Sequence, residues 1–307
     1  MLLKNKHTTR FKIIFFYILK FASMKKITLM TCALSIITLL SSPSRAGDAF
    51  KVCADPLNPP YSTKAKDGFE NKIAALFAQS LGQEIQYYWF PQRIGFIRNT
   101  LNAFTDDNAV ESKDFKCDIV MGMPEGSDMV LTTQPYYHST YVLLIAKGRG
   151  WDMIQTPQQL TELSPTQKNK LKIAMFDRGA GTEWLEKHDL LDVGIPYQSM
   201  TGDSENNVAM QIEQDLTSKK IDMVILWGVL AGHVISQHPN NYNVIPMQSE
   251  AGIKFDYQMT MGVRKNDTAR QAQLDQLINQ KSHEINAILM QYHIPLLPLT
   301  IKPSQTN

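Results

Sequence analysis

Apolar residues along this chain recur with two periods that take turns. Short, nearly continuous apolar runs read as buried strands, and longer stretches with apolar positions three or four apart read as helices. Phe50–Ala54 is a strand, followed by a Pro-rich loop in which Pro56, Pro59 and Pro60 keep the backbone extended. Phe69, Ile73, Leu76, Phe77 and Leu81 then mark an amphipathic helix that Gly82 ends. Ile85–Pro91 is a second strand, Arg93–Phe104 a second helix with Ile94, Ile97, Leu101 and Phe104 inward, and Cys117–Gly122 a third strand. This alternation predicts a right-handed parallel unit.

Tyr141–Ala146 is an apolar run on the far side of a polar turn, and there the chain is expected to cross into a second half. That half repeats the order. Thr156–Leu160 opens a helix with Pro in its first turn, Leu171–Phe176 is a strand and Thr182–Leu191 a helix. Ile195–Met200, a helix around Val208–Leu216 and Asp222–Trp227 follow, then a helix over Gly228–His238 and a strand over Tyr242–Met247. Phe255–Lys265 is extended and suited to crossing back, and Asp267–Tyr292 carries the longest helical pattern. The pattern therefore predicts an α/β protein of two doubly wound lobes joined by two crossover strands. Lobe 1 takes 47–146 plus 252–307, lobe 2 takes 147–251, and a cleft lies between the strand ends.

The first 46 residues stand apart. Lys25-Lys26, the apolar-leaning Ile27–Leu40 and Ser44-Arg45-Ala46 have the layout of a cleaved export signal. The fourteen residues Ile27–Leu40 fall short of a spanning helix, and no later run is long enough either. Processing changes the charge. The leader holds eight of the 31 Lys and Arg and none of the 29 Asp and Glu, so 23 basic residues remain against 29 acidic ones, a net of −6. A mildly acidic exported chain argues against nucleic acid as a partner and for the periplasm. Cys32 leaves with the leader. Cys53 and Cys117 remain on strands that are neighbours in a doubly wound half, so a disulfide is expected, with two buried free thiols as the alternative.

No catalytic signature is written here: G-x-S-x-G, H-E-x-x-H, C-x-x-C-H and G-x-x-x-x-G-K are all missing. No catalytic residue, cofactor or metal ligand is therefore assigned. His233 and His238 are poorly spaced for a metal, and Asp106, Asp107, Glu111 and Asp114 lack the glycine and spacing of a calcium loop. Residues at the expected cleft are Asp55, Tyr61, Glu70, Trp89, Arg93, Ser127, Asp128, Tyr136 and Trp227. Gly179, Gly181 and Thr182 join them, because a helix start there could take an anion or simply be capped by Thr182. The competing reading of Trp89 is packing within its own lobe, the usual place of an isolated Trp.

Lys51–Pro56, Gly68–Ala74, Cys117–Gly122 and Pro135–Leu144 resemble bacterial solute-binding proteins of family 3. Val52–Ser62, Tyr87–Leu101 and Asp128–Tyr137 resemble, more narrowly, its quinoprotein-dehydrogenase-associated branch, the MoxJ/XoxJ-type accessory proteins of methanol oxidation. The resemblance implies the bilobal type II periplasmic-binding-protein fold. It also implies, as partner, a PQQ-dependent methanol dehydrogenase of the lanthanide type. The importer subunit of a small solute is the alternative. Amino-acid carriers of the family usually place an Arg after the third strand and an Asp after the strand equivalent to Asp222–Trp227. This chain has no Arg or Lys between Gly122 and Lys147, and Trp227 is followed by Gly228. A zwitterion buried without those partners would be costly, so amino-acid carriage is not expected.

Overall fold

The computed structural model describes residues 49–106, 114–199 and 207–300. The expected leader and residues 107–113 of the acidic insertion lie outside them. Strand β1 (Phe50–Ala54) leads into a hairpin of β2 (Leu57–Asn58) and β3 (Ser62–Thr63), turned by the cis Pro59–Pro60 bond. The sequence suggested only extended chain here. Helix α1 (Phe69–Leu81) buries Phe69, Ile73 and Phe77 and ends at Gly82, whose φ of 64° suits glycine. Strand β4 (Ile85–Trp89) then pairs with β1 in parallel.

The second expected helix is largely absent. Only α2 (Phe96–Asn99) forms, because Gly95 sits at φ 87° and interrupts any run from Arg93. Ile94, expected inward, is 91% exposed, and Phe104 stacks on Phe115 at the surface, while Ile97 and Leu101 are buried as expected. Strand β5 (Ile119–Pro124) pairs with the other side of β1. Cys53 and Cys117 are bonded across this β1–β5 neighbourhood, their Cα atoms 5.5 Å apart.

After the short β6 (Leu131–Thr132), β7 (Tyr137–Ala146) connects the two halves. Beyond it lie α3 (Pro165–Lys168), β8 (Ile173–Phe176), α4 (Ala180–Lys187), β9 (Gly194–Tyr197), α5 (Val208–Thr217), β10 (Met223–Trp227), α6 (Gly228–Gln237) and β11 (Tyr242–Pro246). Strand β12 (Asp256–Val263) returns to the first half, and α7 (Thr268–Gln280) and α8 (Ser282–Gln291) cover it. The single long C-terminal helix of the sequence reading is broken at Lys281, where the backbone leaves the helical region (φ −109°, ψ 15°).

The strand order is β4-β1-β5-β12-β7-β10-β8-β9. Residues 137–140 of β7 pair with β12, and residues 141–146 pair with β10 and β11. The strand thus changes sheets between Thr140 and Tyr141, inside the segment that the sequence reading assigned whole to lobe 1. The returning chain runs beside this point. Met247 N–H donates to Tyr141 O and Tyr141 N–H to Phe255 O, each at 2.9 Å. The buried Thr140 hydroxyl reaches the carbonyls of both Met247 (3.1 Å) and Phe255 (3.2 Å). Both crossings are tied together by one side chain.

Separate apolar clusters fill the two halves. Phe69, Phe77, Tyr137 and Leu277 centre one, and Trp184, Ile173 and Phe255 centre another. Helix α6 belongs to the second half, yet its Val229 packs in the first cluster. Close approach there depends on glycine: a Cβ on Gly232 would stand 2.4 Å from Tyr292 O. Because that neighbour is backbone, Gly232→Ala is expected to destabilise the fold by about 1–3 kcal/mol, measured as a lowered urea midpoint at unchanged slope.

Candidate functional site

The ends of β1, β5 and β10 converge on a cleft of about 460 Å³, within the range of small-molecule sites. Asp55, Tyr61, Glu70, Gly122 and Met259 line it from the first half, and Tyr141, Arg178, Asn207 and Trp227 from the crossing strand and second half.

Its rim is ordered by side chains. Asp55 accepts from the backbone N–H of Leu57 at 2.7 Å and of Gln92 at 2.5 Å, which fixes the loop between β1 and the hairpin. Asn58 donates to Gln92 Oε1 at 2.9 Å. Asn207, which caps α5 through the N–H of Ala209 (2.8 Å), also donates to Asn58 Oδ1 at 3.3 Å. That last bond joins the two sides of the cleft mouth.

The floor carries a different chemistry. Glu70 lies in the first turn of α1, and its Oε1 is sealed from solvent without a hydrogen-bond partner. Gly122, at φ 67°, makes room for it: a Cβ there would lie 2.6 Å from Oε1. Burial pushes the Glu70 carboxyl up to about 8, and a hydrogen bond with Tyr136 only partly offsets that. Tyr136 in turn accepts the N–H of Gly122 at 3.2 Å. The indole N–H of Trp227 donates to the Tyr61 hydroxyl, and the Trp227 and Tyr141 rings meet edge to face at 5.4 Å. Burial pushes the hydroxyls of Tyr61, Tyr136 and Tyr137 far up, so all stay neutral. Arg178 is the cationic side chain of the lining, and it is exposed next to Asp177, whose carboxyl is held low by Ser199 hydrogen bonds and by Arg178 itself.

Of the residues singled out from sequence, Asp55, Tyr61, Glu70 and Trp227 line this cleft, and Tyr136 stands directly behind Glu70. The others lie outside the lining. Trp89 stacks on Tyr87 at 4.6 Å, and Arg93 is exposed with its guanidinium 5.1 Å from the Phe90 ring. Ser127 and Asp128 sit in the turn after β5, where Ser127 N–H returns to Pro124 O. Gly181 is packed against Ile225, the Thr182 hydroxyl donates back to Phe176 O, and no side chain caps the α4 start. Gly179, at φ 113°, makes the turn into that helix. Sequence reading missed Tyr141, Arg178 and Asn207; only Asn207 left a signal, as a capping residue before α5. Glu70, expected at the cleft from the sequence, enters it from α1. Among the described residues no cluster of His, Cys, Asp and Glu could hold a metal ion, and no helix is long and apolar enough to cross a membrane.

No family model matches the chain. It is 24% identical to Protein MoxJ of Methylorubrum extorquens over 308 residues, covering 88% of this chain and 94% of that relative. The crystal structure of periplasmic binding protein XoxJ from Methylobacterium extorquens AM1 superposes with a TM-score of 0.64 at 29% identity, over 82% of this chain and 100% of that one. MxaJ from Methlophaga aminisulfidivorans MPT gives 0.66 at 23% identity, over 81% and 100%, which speaks to fold alone. Two α/β halves, two tied crossings and an inter-lobe cleft thus define a bilobal periplasmic-binding-protein fold of type II. Within that class the chain is similar to the MoxJ/XoxJ-type solute-binding proteins.

Proposed function

We propose that the protein is a periplasmic, solute-binding-like accessory of methanol oxidation that docks to a PQQ-dependent methanol dehydrogenase of the lanthanide type and assists its maturation or activation. The observation that carries this reading is the likeness to MoxJ over nearly the whole length of both chains. The stretch Tyr87–Leu101, on which the family resemblance is most specific, supplies a surface for such docking. Its Ile94 is 91% exposed in the same loop as Pro91 and Gln92, which line the cleft mouth. In this reading the two lobes hinge at the paired crossings, with the first boundary close to residue 140 rather than 146.

The test uses the immobilised mature protein and purified dehydrogenase, loaded with lanthanum or with calcium. Saturable capture of the lanthanum form is the expected result, weakened about tenfold by Ile94→Asp if that side chain is an anchor. Capture of neither form would overturn the reading. A second reading, the binding subunit of an importer, is favoured by the cleft's size and by its unsatisfied acid. It requires a metabolite that raises the melting temperature by mass action.

A further inference from the structure

The cleft floor holds an acceptor with nothing to accept. Glu70 lines the cleft with its Oε1 buried and unpartnered, and Tyr61, Tyr141 and Trp227 line the same cleft. We infer that the cleft binds a small alkylammonium ion with at least one N–H, its nitrogen on Glu70 and its alkyl part among these rings. This goes beyond the docking reading and stands whether or not the dehydrogenase docks.

Three features select that chemistry. An N–H donor satisfies Oε1 and, being cationic, makes a charge-assisted bond with an ionised carboxylate. Tyrosine and tryptophan faces attract cations and cover an alkyl chain. A ligand carboxylate, by contrast, finds no buried cation: Arg178, the cationic side chain of the lining, is exposed at the rim. The groups around Glu70 are Tyr61, Tyr87, Tyr136 and Tyr137, all neutral hydroxyls with raised proton affinity. An incoming ammonium is therefore the counter-charge that the carboxyl lacks, and its binding releases the carboxyl proton to solvent.

The probe is n-butylammonium, titrated into the mature protein with Trp227 fluorescence and calorimetry as readouts. We expect saturable binding that tightens about tenfold for each unit that the pH rises towards 8, with close to one proton released well below that pH, as read in buffers of different ionisation heat. Neutral 1-butanol and tetramethylammonium, which has no N–H, should bind much more weakly. Glu70→Gln should lose about thirtyfold in affinity, the worth of one charged hydrogen bond. If that variant fails to fold, the pH dependence and proton release of the wild type still decide. No saturation, equal binding of 1-butanol, pH-independent affinity, or tighter binding of alanine than of n-butylammonium would each overturn the inference. The same ammonium chemistry belongs to a lysine side chain. Where dehydrogenase is captured, its displacement by n-butylammonium assigns the group to that enzyme's lysine, and undisturbed capture assigns it to a free amine; both sustain the site.

Discussion

Replacing Cys53 and Cys117 together by serine is expected to remove about 4 kcal/mol of stability. The bond joins residues 64 apart in sequence, and in the chain-entropy model closing such a loop in the unfolded state has that magnitude. The native side adds little to offset the loss. Both sulfurs sit in a small buried cluster with Leu101, Val120 and Val130, so two hydroxyls would replace apolar atoms there without obvious partners. Equilibrium urea unfolding of the mature chain, with and without reductant, measures the effect. The reduced wild type should show the loss of the bond alone, and the double variant a somewhat lower midpoint because its two buried hydroxyls lack partners. A reduced protein as stable as the oxidised one would show that the bond constrains nothing that folding has not already fixed.

The second large effect is a pH dependence of stability written by Glu70. Its carboxyl titrates near 4.5 in an unfolded chain and near 8 in the fold. Between those values the folded protein keeps a proton that the unfolded chain has lost, so stability falls as pH rises. The slope is about 1.4 kcal/mol per pH unit. The contribution is whole below pH 4.5 and gone above pH 8. Glu70→Gln mimics the neutral acid at every pH. It should match the wild type near pH 4.5 and exceed it by about 3 kcal/mol at pH 7, read from urea unfolding across that range. A variant that is less stable than the wild type at pH 7 would mean that the carboxylate is satisfied in the fold. The unliganded protein thus holds a destabilising group at its cleft floor, a pattern common at functional sites.

How much of this was legible in the sequence depends on whether a feature is local. Helix α1 could be read to its end because Phe69, Ile73 and Phe77 keep helical spacing and Gly82 stops them. Strand β10 and helix α6 could be read because a continuous apolar run meets a long helical pattern. The helix expected over Arg93–Phe104 failed on a local signal as well, since Gly95 takes a left-handed conformation that no apolar spacing reveals. The hairpin at Leu57–Thr63 escaped because prolines mark extended backbone without saying what it pairs with.

The site was harder. Asp55, Tyr61 and Glu70 fall near strand and helix ends, where topology alone puts cleft residues. Gly179 and Thr182 fall at such an end too, but they lie outside the cleft lining, with the Thr182 hydroxyl turned back to Phe176 O. Whether Glu70 is paired is a tertiary fact. It depends on Gly122 and Tyr136 arriving from other parts of the chain. The bond from Asn207 to Asn58 is of the same kind, joining residues 149 apart in sequence.

The account rests on a cleft that has kept the bilobal architecture and an acid with an unpartnered buried oxygen, while lacking a buried cation for a ligand carboxylate. Calorimetric titration of the processed chain with each of the common amino acids tests it most directly. The account expects no saturable heat below millimolar concentration for any of them. Submicromolar, one-to-one uptake of a free amino acid would contradict it.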